Sequence, residues 1–387
     1  MLHSQKALFT LPAGAHYLNG AYMSPLLRSA EAAAADGLRQ RRDPSAIGVD
    51  DFFRDAGRVR SLVARLVGDA DLADRVALVP AVSYAMATVA QNLHVDRGHR
   101  IVVLADQFPS HVYPWRRMAT DVGAEVVAVE PPGPLGARDR GRLWNERLLD
   151  AIDARTAVVA VPHVHWADGT LFDLEAVGER ARDVGAAFVV DGTQSVGAYP
   201  FRWREIRPDA LACAGYKWLL GPYGLGVALL GGRFDEGRPL EETWIARAGS
   251  DDFAGLTDYE DAYAPGAVRY DVGERSNGVL LPWLATGLEQ LLAWGVPEVQ
   301  ARCRRLADAI VAGAEPLGYR AEEAAFRASH LFGRAPPAGV PGERVRQRRA
   351  DRGVSVSVRG PALRVSPNVY NDEADVYALL DALADPA

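Results

Sequence analysis

Between residues 76 and 230 the chain alternates short apolar runs with amphipathic stretches. RVALVP, RIVVLAD, EVVAVE, TAVVAVPHV, AAFVVDG, ALACAG and GVALLG read as strands. YAMATVAQNL, YPWRRMATDVG, NERLLDAIDA and DLEAVGERARDVG, lying between them, have helical spacing. A repeated strand–helix alternation predicts an α/β fold with a mostly parallel sheet flanked by helices. The apolar runs are continuous, as expected of strands buried on both faces. Residues 1–25 form an irregular lead-in ending in HYLNGAYMSP, and residues 26–67 carry helical patterning rich in alanine and arginine. After about residue 265 the pattern changes. GVLLPWLATGLEQLLAWGV and VQARCRRLADAIVAGAEPLG predict helices, SHLFG, GVSVSVRG and ALRVSP short strands, and 372–384 a last helix. The division expected is an N-terminal segment 1–25, a large domain 26–265 and a small C-terminal α+β domain 266–387. APPAGVPG (335–342) reads as a loop, and ERVRQRRADRG (343–353) as a solvated helix face rather than a nucleic-acid site.

Composition narrows the functional classes. The 387 residues are 49% hydrophobic and 24% charged, ordinary for a globular protein and enough for a large core without disulfides or structural metal. A net charge of −7 supplies no basic field for nucleic acid or an anionic membrane. Two cysteines, Cys213 and Cys303, exclude a disulfide-built scaffold. The opening MLHSQKALFTLPAG lacks a secretory pattern, and no apolar run reaches the ~18 residues of a membrane span, so a soluble cytoplasmic protein is expected. Of the 43 basic residues 41 are arginine, and the only lysines are Lys6 and Lys217. A mid-chain lysine that persists under such a bias is either drift or a required primary amine, since arginine cannot do Schiff-base chemistry.

Ligands of open α/β sheets collect at the carboxyl ends of the strands, so those ends come first. AAFVVD ends in Asp191, which serves there as a helix cap or as a charged partner. ALACAG runs into Tyr216 and Lys217. An amine and a carboxylate on neighbouring strand ends form an ion pair, or they are the two groups pyridoxal phosphate most needs: lysine for the aldehyde, aspartate for the pyridinium nitrogen. Gln194 stands three residues after Asp191, within reach of a ring hydroxyl. In VPAVSYAM, Ala81, Val82 and Ser83 either cap a helix or present its free N–H groups to phosphate. Phe108, after IVVLAD, is a core residue or a stacking partner for a planar ring.

Taken together, DGTQSVG followed by AGYKWLLGPYGLG resembles the fold-type I pyridoxal phosphate enzymes of the class V aminotransferase superfamily, the group of kynureninases, cysteine desulfurases and isopenicillin N epimerase-like proteins. The likeness runs from YLNGAYMSP to LRVSPNVYNDEAD. It implies pyridoxal 5'-phosphate as cofactor, with Lys217 the Schiff-base lysine, Asp191 the pyridinium partner and Gln194 on the ring oxygen. Val82, Ser83 and Tyr216 match phosphate-side positions, and Phe108 the ring-stacking position. Arg364 matches the arginine that grips a substrate carboxylate; at a strand end it would otherwise be an ion-pair partner. Asn19 and Tyr22 match a turn lining the substrate side. Ser276 and Asn277 match a loop that reaches the neighbouring subunit's cofactor, which implies a homodimer with shared active sites. Trp166 and His165, in HVHWADG, face the same side, Trp166 where many members have asparagine. Ala214 stands where a phosphate-binding hydroxyl is often found.

The resemblance implies an enzyme acting at Cα of an amino acid, by transamination, elimination, kynureninase-like cleavage or epimerisation. The segment 335–363 holds no cysteine where desulfurases carry their nucleophile, so persulfide chemistry is not expected. His163 and His165 form an HxH pair without a third ligand nearby, and no metal is expected. Two other readings remain at this level: a non-catalytic scaffold or ligand sensor on the same fold, and a nucleotide-binding α/β protein, although GPYGLG lacks the dinucleotide fingerprint.

Overall fold

The structure, a computed structural model, describes residues 2–337, 351–360 and 362–384. The expected loop at 335–342 and charged run at 343–353 fall largely outside the described residues.

All seven apolar runs become strands of one sheet: β1 (Val76–Val79), β2 (Arg100–Leu104), β3 (Glu125–Val129), β4 (Thr156–Pro162), β5 (Ala187–Asp191), β6 (Ala210–Ala214) and β7 (Gly226–Leu230). Their order is β1-β7-β6-β5-β4-β2-β3. β2 to β6 run parallel, whereas β7 is antiparallel to both β6 and β1. The reason lies in the connection: residues 215–225 hold no helix, and so short a link joins antiparallel neighbours more readily than it spans a parallel crossover. Successive residues of the buried strands enter opposite cores. Leu78, Val102 and Val190 face one side; Val79, Val103 and Val189 face the other. Burial on both faces is why these runs are apolar throughout.

Helices α1 (Arg28–Gln40), α2 (Arg54–Leu66), α3 (Val82–Gln91), α4 (Tyr113–Val122), α5 (Arg140–Ala151) and α6 (Leu174–Asp183) cover the sheet. α7 (Leu280–Trp294), expected with the C-terminal domain, buries Leu281, Leu284, Leu288 and Leu291 in the same core as Val59, Leu62 and Val63 of α2. It thus packs with the large layer. The small layer holds α8 (Val296–Ala314), strands β8 (Phe332–Arg334), β9 (Ser357–Arg359) and β10 (Ala362–Val365), and α9 (Glu373–Ala384). The three strands form an antiparallel sheet ordered β9-β10-β8, with Arg364 opposite Ser357 and Gly333. The lead-in joins this layer. His16–Tyr17 pairs with Val354–Ser355, and Leu18 enters the core with Leu306, Phe332 and Val365. Lys6 meets Asp372 at 3.1 Å and Asp375 at 3.2 Å there. Among the described residues no helix is long and apolar enough to cross a membrane.

Candidate active site at the strand carboxyl ends

Asp191 is the last residue of β5 and is buried, with its backbone between Pro162 and Ala212. Its Oδ1 accepts the Thr193 backbone N–H at 2.9 Å, which fixes the carboxylate over the strand end. Lys217 follows β6 and is also buried. Among the described residues its amine makes no hydrogen bond or ion pair, so the two groups do not form the simple salt bridge that spacing alone allowed. Burial, with repulsion from Arg364 and Arg359, lowers the Lys217 ammonium from 10.5 to about 8 against the pull of Asp191. Its Nζ stands 5.4 Å from the Phe108 ring centre and 5.5 Å from that of Tyr216.

The loop after Lys217 is held tightly. Leu220 has φ 57°, a left-handed conformation that costs a non-glycine residue about 1–2 kcal/mol. Packing from α7 holds it there: Trp283 Nε1 donates to the Leu220 carbonyl at 3.1 Å. Gly287 in α7 is glycine because a Cβ would come within 2.7 Å of the Leu219 carbonyl oxygen.

α3 begins without a side-chain cap. Ala81 occupies the cap position, and Ser83 lies in the first turn rather than capping it. The opening N–H groups at Val82 and Ser83 therefore lack an intrahelical acceptor. They border a cavity of about 220 Å³ lined also by Phe108, Trp166, Asp191, Gln194, Tyr216 and Lys217. Gln194 is already engaged: its Nε2 donates to the Ala21 carbonyl at 3.1 Å, and its Oε1 accepts from Trp218 Nε1 at 2.8 Å. One amide hydrogen remains for a ligand. Below it His330, buried, donates from Nε2 to the Gln194 carbonyl at 2.6 Å. Burial pushes this imidazole down to about 4, so it is neutral with a single N–H, and its Nδ1 lies 3.1 Å from Gln300 Oε1.

The remaining expected residues stand around this cavity rather than on it. Arg364 is buried behind Trp166. It donates to the Trp166 carbonyl at 2.8 Å and to Ser357 Oγ at 3.4 Å, and its Nε has no partner. Asn19 does not touch the cavity; it accepts from Ser357 Oγ at 2.8 Å and so supports Arg364 through that serine. Tyr22 is exposed and off the lining. His165 corrects the expectation of a substrate contact. It is buried with both ring nitrogens taken, Nδ1 at 3.1 Å from Asp168 and Nε2 at 3.2 Å from the Ala105 carbonyl. Asp168 is held well below the usual carboxylate range: burial opposes ionisation, but His165 and Arg140 outweigh it. Ser276 and Asn277 lie outside this chain's cavity. Ser276 donates to the Phe52 carbonyl, and Asn277 Oδ1 accepts from Val279 and Leu280 at the start of α7.

Sequence reasoning missed Thr193, which lines the cavity, braces Asp191 through its N–H, and accepts the Ala214 N–H on Oγ1 at 3.2 Å. Its place two residues after the strand-end aspartate was the available signal. Tyr223, its ring tilted against that of Tyr216 at 4.7 Å, and His111 were also missed. His111 is buried with neither ring nitrogen bonded; burial lowers it to about 4 against the attraction of Asp191.

Pyridoxal phosphate suits this donor set. A buried amine has no acidic partner, a buried carboxylate shares its cavity, helix N–H groups stand free at one wall, and Phe108 offers a ring. Among the described residues no cluster of three metal-ligating side chains occurs.

Comparison with known proteins gives a consistent picture. The family model for aminotransferase class-V matches residues 50–240. Isopenicillin N epimerase of Streptomyces clavuligerus is 27% identical over 340 residues, covering 84% of this chain and 83% of that protein. The apo structure of a cysteine desulfurase from Thermococcus onnurineus shares the fold with a TM-score of 0.83, at 20% identity over 99% of this chain and 98% of the other. A variant of the cystine C–S lyase C-DES, with glycine covalently linked to its PLP cofactor, superposes with a TM-score of 0.85 at 17% identity over 98% and 99%.

Proposed function

The chain belongs to the class V aminotransferase superfamily of pyridoxal phosphate enzymes, and we propose that Lys217 carries the cofactor for a reaction at Cα of an amino acid. The observation that carries this reading is the buried Lys217 amine, unpaired, in one cavity with Asp191 and the open start of α3. Bound pyridoxal phosphate supplies an aldehyde for amines and a pyridinium that withdraws electrons.

The protein's own groups have separable tasks. Asp191 holds the proton on the pyridinium nitrogen, its carboxylate fixed by Thr193. The N–H groups of Val82 and Ser83 hold the phosphate. Phe108 stacks on the ring, and the free amide hydrogen of Gln194 serves the ring oxygen. Arg364 offers its unpartnered Nε and two further donors to the substrate carboxylate. Released from the cofactor when the substrate's own amine takes its place, Lys217 Nζ, lowered toward 8 as a free amine, would be neutral in a usable fraction near pH 7 and could take the Cα proton.

Neither cysteine is placed for persulfide chemistry. Cys213 lies in β6 and Cys303 in α8, each almost wholly buried, with burial pushing the Cys303 thiol up to about 12 and Cys213 well above 9. This favours transamination, elimination, C–C cleavage or epimerisation over desulfuration on an enzyme cysteine. A homodimer is part of the reading. Trp244 and Phe253 expose apolar surface beside Phe52, whose carbonyl holds Ser276, so the Ser276–Asn277 loop borders a face that a second copy would cover.

The test is to screen amino acids against the purified protein for a change in the cofactor's visible absorbance, identifying products by mass spectrometry. An absorbing cofactor and a Cα-altered product are expected. A protein that binds the cofactor but changes no amino acid would leave only a scaffold. Sedimentation should give a dimer; full activity as a monomer would remove the shared-site part.

A further inference from the structure

Trp166 is the shared wall of two cavities. One is the Lys217 cavity. The other is an adjoining cleft of about 510 Å³, lined by Leu135, Arg140, His165, Trp166 and Arg359 among others. The indole is fixed: its Nε1 donates to the Asp106 carbonyl at 2.7 Å, and Phe108 meets it edge-on at 5.5 Å. Arg359, at the end of β9, lies over the Trp166 ring at 5.6 Å.

The charges of the cleft differ in availability. Arg140 is already neutralised by Asp168 and Glu322, each at 2.8 Å. Asp106, exposed on the same cleft, makes no ion pair among the described residues. Arg359 donates only to the carbonyl of its own neighbour, Val358, and has no acidic partner among the described residues. Its charge nevertheless acts on both Lys217 and Arg364. Two arginines of the small layer thus lie near enough to the reactive amine for their charges to lower it. Only one is needed for an α-carboxylate. A half-buried guanidinium that lies over an aromatic face beside a reactive cavity is placed for a second anion.

We propose that Arg359 is a second anion subsite and that the substrate is an amino acid whose side chain ends in a carboxylate, reaching past Trp166 into the adjoining cleft. This deepens the reading above and rests on Arg364 taking the α-carboxylate. Arg359 then selects for the distal group and supplies no chemistry.

The experiment uses carboxylates that cannot react. Succinate, glutarate, adipate and pimelate are titrated into the cofactor-loaded protein by calorimetry, each beside the monocarboxylate of equal length. Arg359 is partly open to solvent, so the gain falls at the low end of that for a charged hydrogen bond, about tenfold for the best-fitting length. Arg359→Gln should erase that gain and leave monocarboxylate binding unchanged, while Arg359→Lys restores part of it. Equal binding of both members at every length, no measurable binding of either, or a gain that survives Arg359→Gln overturns the proposal. Failure of the parent reading looks different: reduction of the loaded protein would then leave no cofactor on Lys217, whatever the dicarboxylates do.

Discussion

The two lysines sit in opposite surroundings. Lys6 lies in the seam between the lead-in and α9, its ammonium at 3.1 Å from Asp372 and 3.2 Å from Asp375. Burial there works against the charge, but the two carboxylates outweigh it and raise the amine above 10.5. Lys217 lies at a strand end with no acidic contact, and burial with two nearby arginines lowers it to about 8. One amine is locked as a charged strut and the other is left without an acidic partner, as the proposed nucleophile and base requires. In a chain otherwise served by arginine, a surface lysine can persist as a replaceable ion-pair partner. The strand-end lysine is the one whose chemistry arginine cannot supply.

The comparison breaks most sharply at the larger effect. Lys217→Ala should abolish turnover and the cofactor's visible band while the protein remains folded by circular dichroism. Residual turnover above a few per cent would move the reactive amine elsewhere.

Next in size is Arg364→Lys. Its guanidinium has three N–H donors unused and two committed to Trp166 and Ser357. A lysine keeps the charge but not the fork, so about a ten- to hundredfold rise in half-saturating amino acid is expected, with cofactor affinity unchanged. The loss should shrink for an amine substrate without a carboxylate. An equal loss for both would make Arg364 a structural strut like Lys6.

Acid should separate the two regions more gradually. His111, His163 and His330 lie buried and neutral, lowered by burial to about 4, 3 and 4, whereas Lys6 is held by two carboxylates. Unfolded histidine titrates near 6.5. Below that pH the unfolded chain binds protons that the native state refuses, so stability falls as pH drops from about 6.5 toward 4, by up to about 1.4 kcal/mol per unit for each histidine. Melting temperatures of the cofactor-free protein between pH 8 and pH 5 read this directly. His163→Gln should flatten the slope; a slope unchanged in that variant would assign it to carboxylates instead.

Smallest is Lys6→Met. The ammonium is about a third exposed and Asp375 keeps His16 at 2.8 Å and Asn371 at 2.9 Å, so a loss of about 1 kcal/mol or less is expected, with activity intact.

The sheet was legible because strands buried on both faces are apolar along their length; each of the seven runs became a strand, the edge strand β3 being buried only at Val129. The reversed β7 was less so, although the helix-free link 215–225 carried the information. At the site, strand-end position located Asp191, Lys217 and Phe108 and pointed to Gln194, the small-residue turn before a helix pointed to Ser83, and the resemblance supplied the role of Tyr216. What escaped was set by packing between distant segments. His165 is drawn away by Asp168, three residues on, and by the Ala105 carbonyl across the sheet. Arg359 gains its place only because β9 pairs with β10 and brings it over Trp166. α7 joined the large layer because Gly287 lets it close on the Leu219–Leu220 turn, a contact invisible in local pattern.

With only two lysines in the chain, the central claim can be read in one measurement. The protein is loaded with pyridoxal phosphate, reduced with borohydride, digested and mapped by mass spectrometry. The pyridoxyl adduct is expected on Lys217, with Lys6 unmodified. An adduct on Lys6, or none on either lysine, would contradict it.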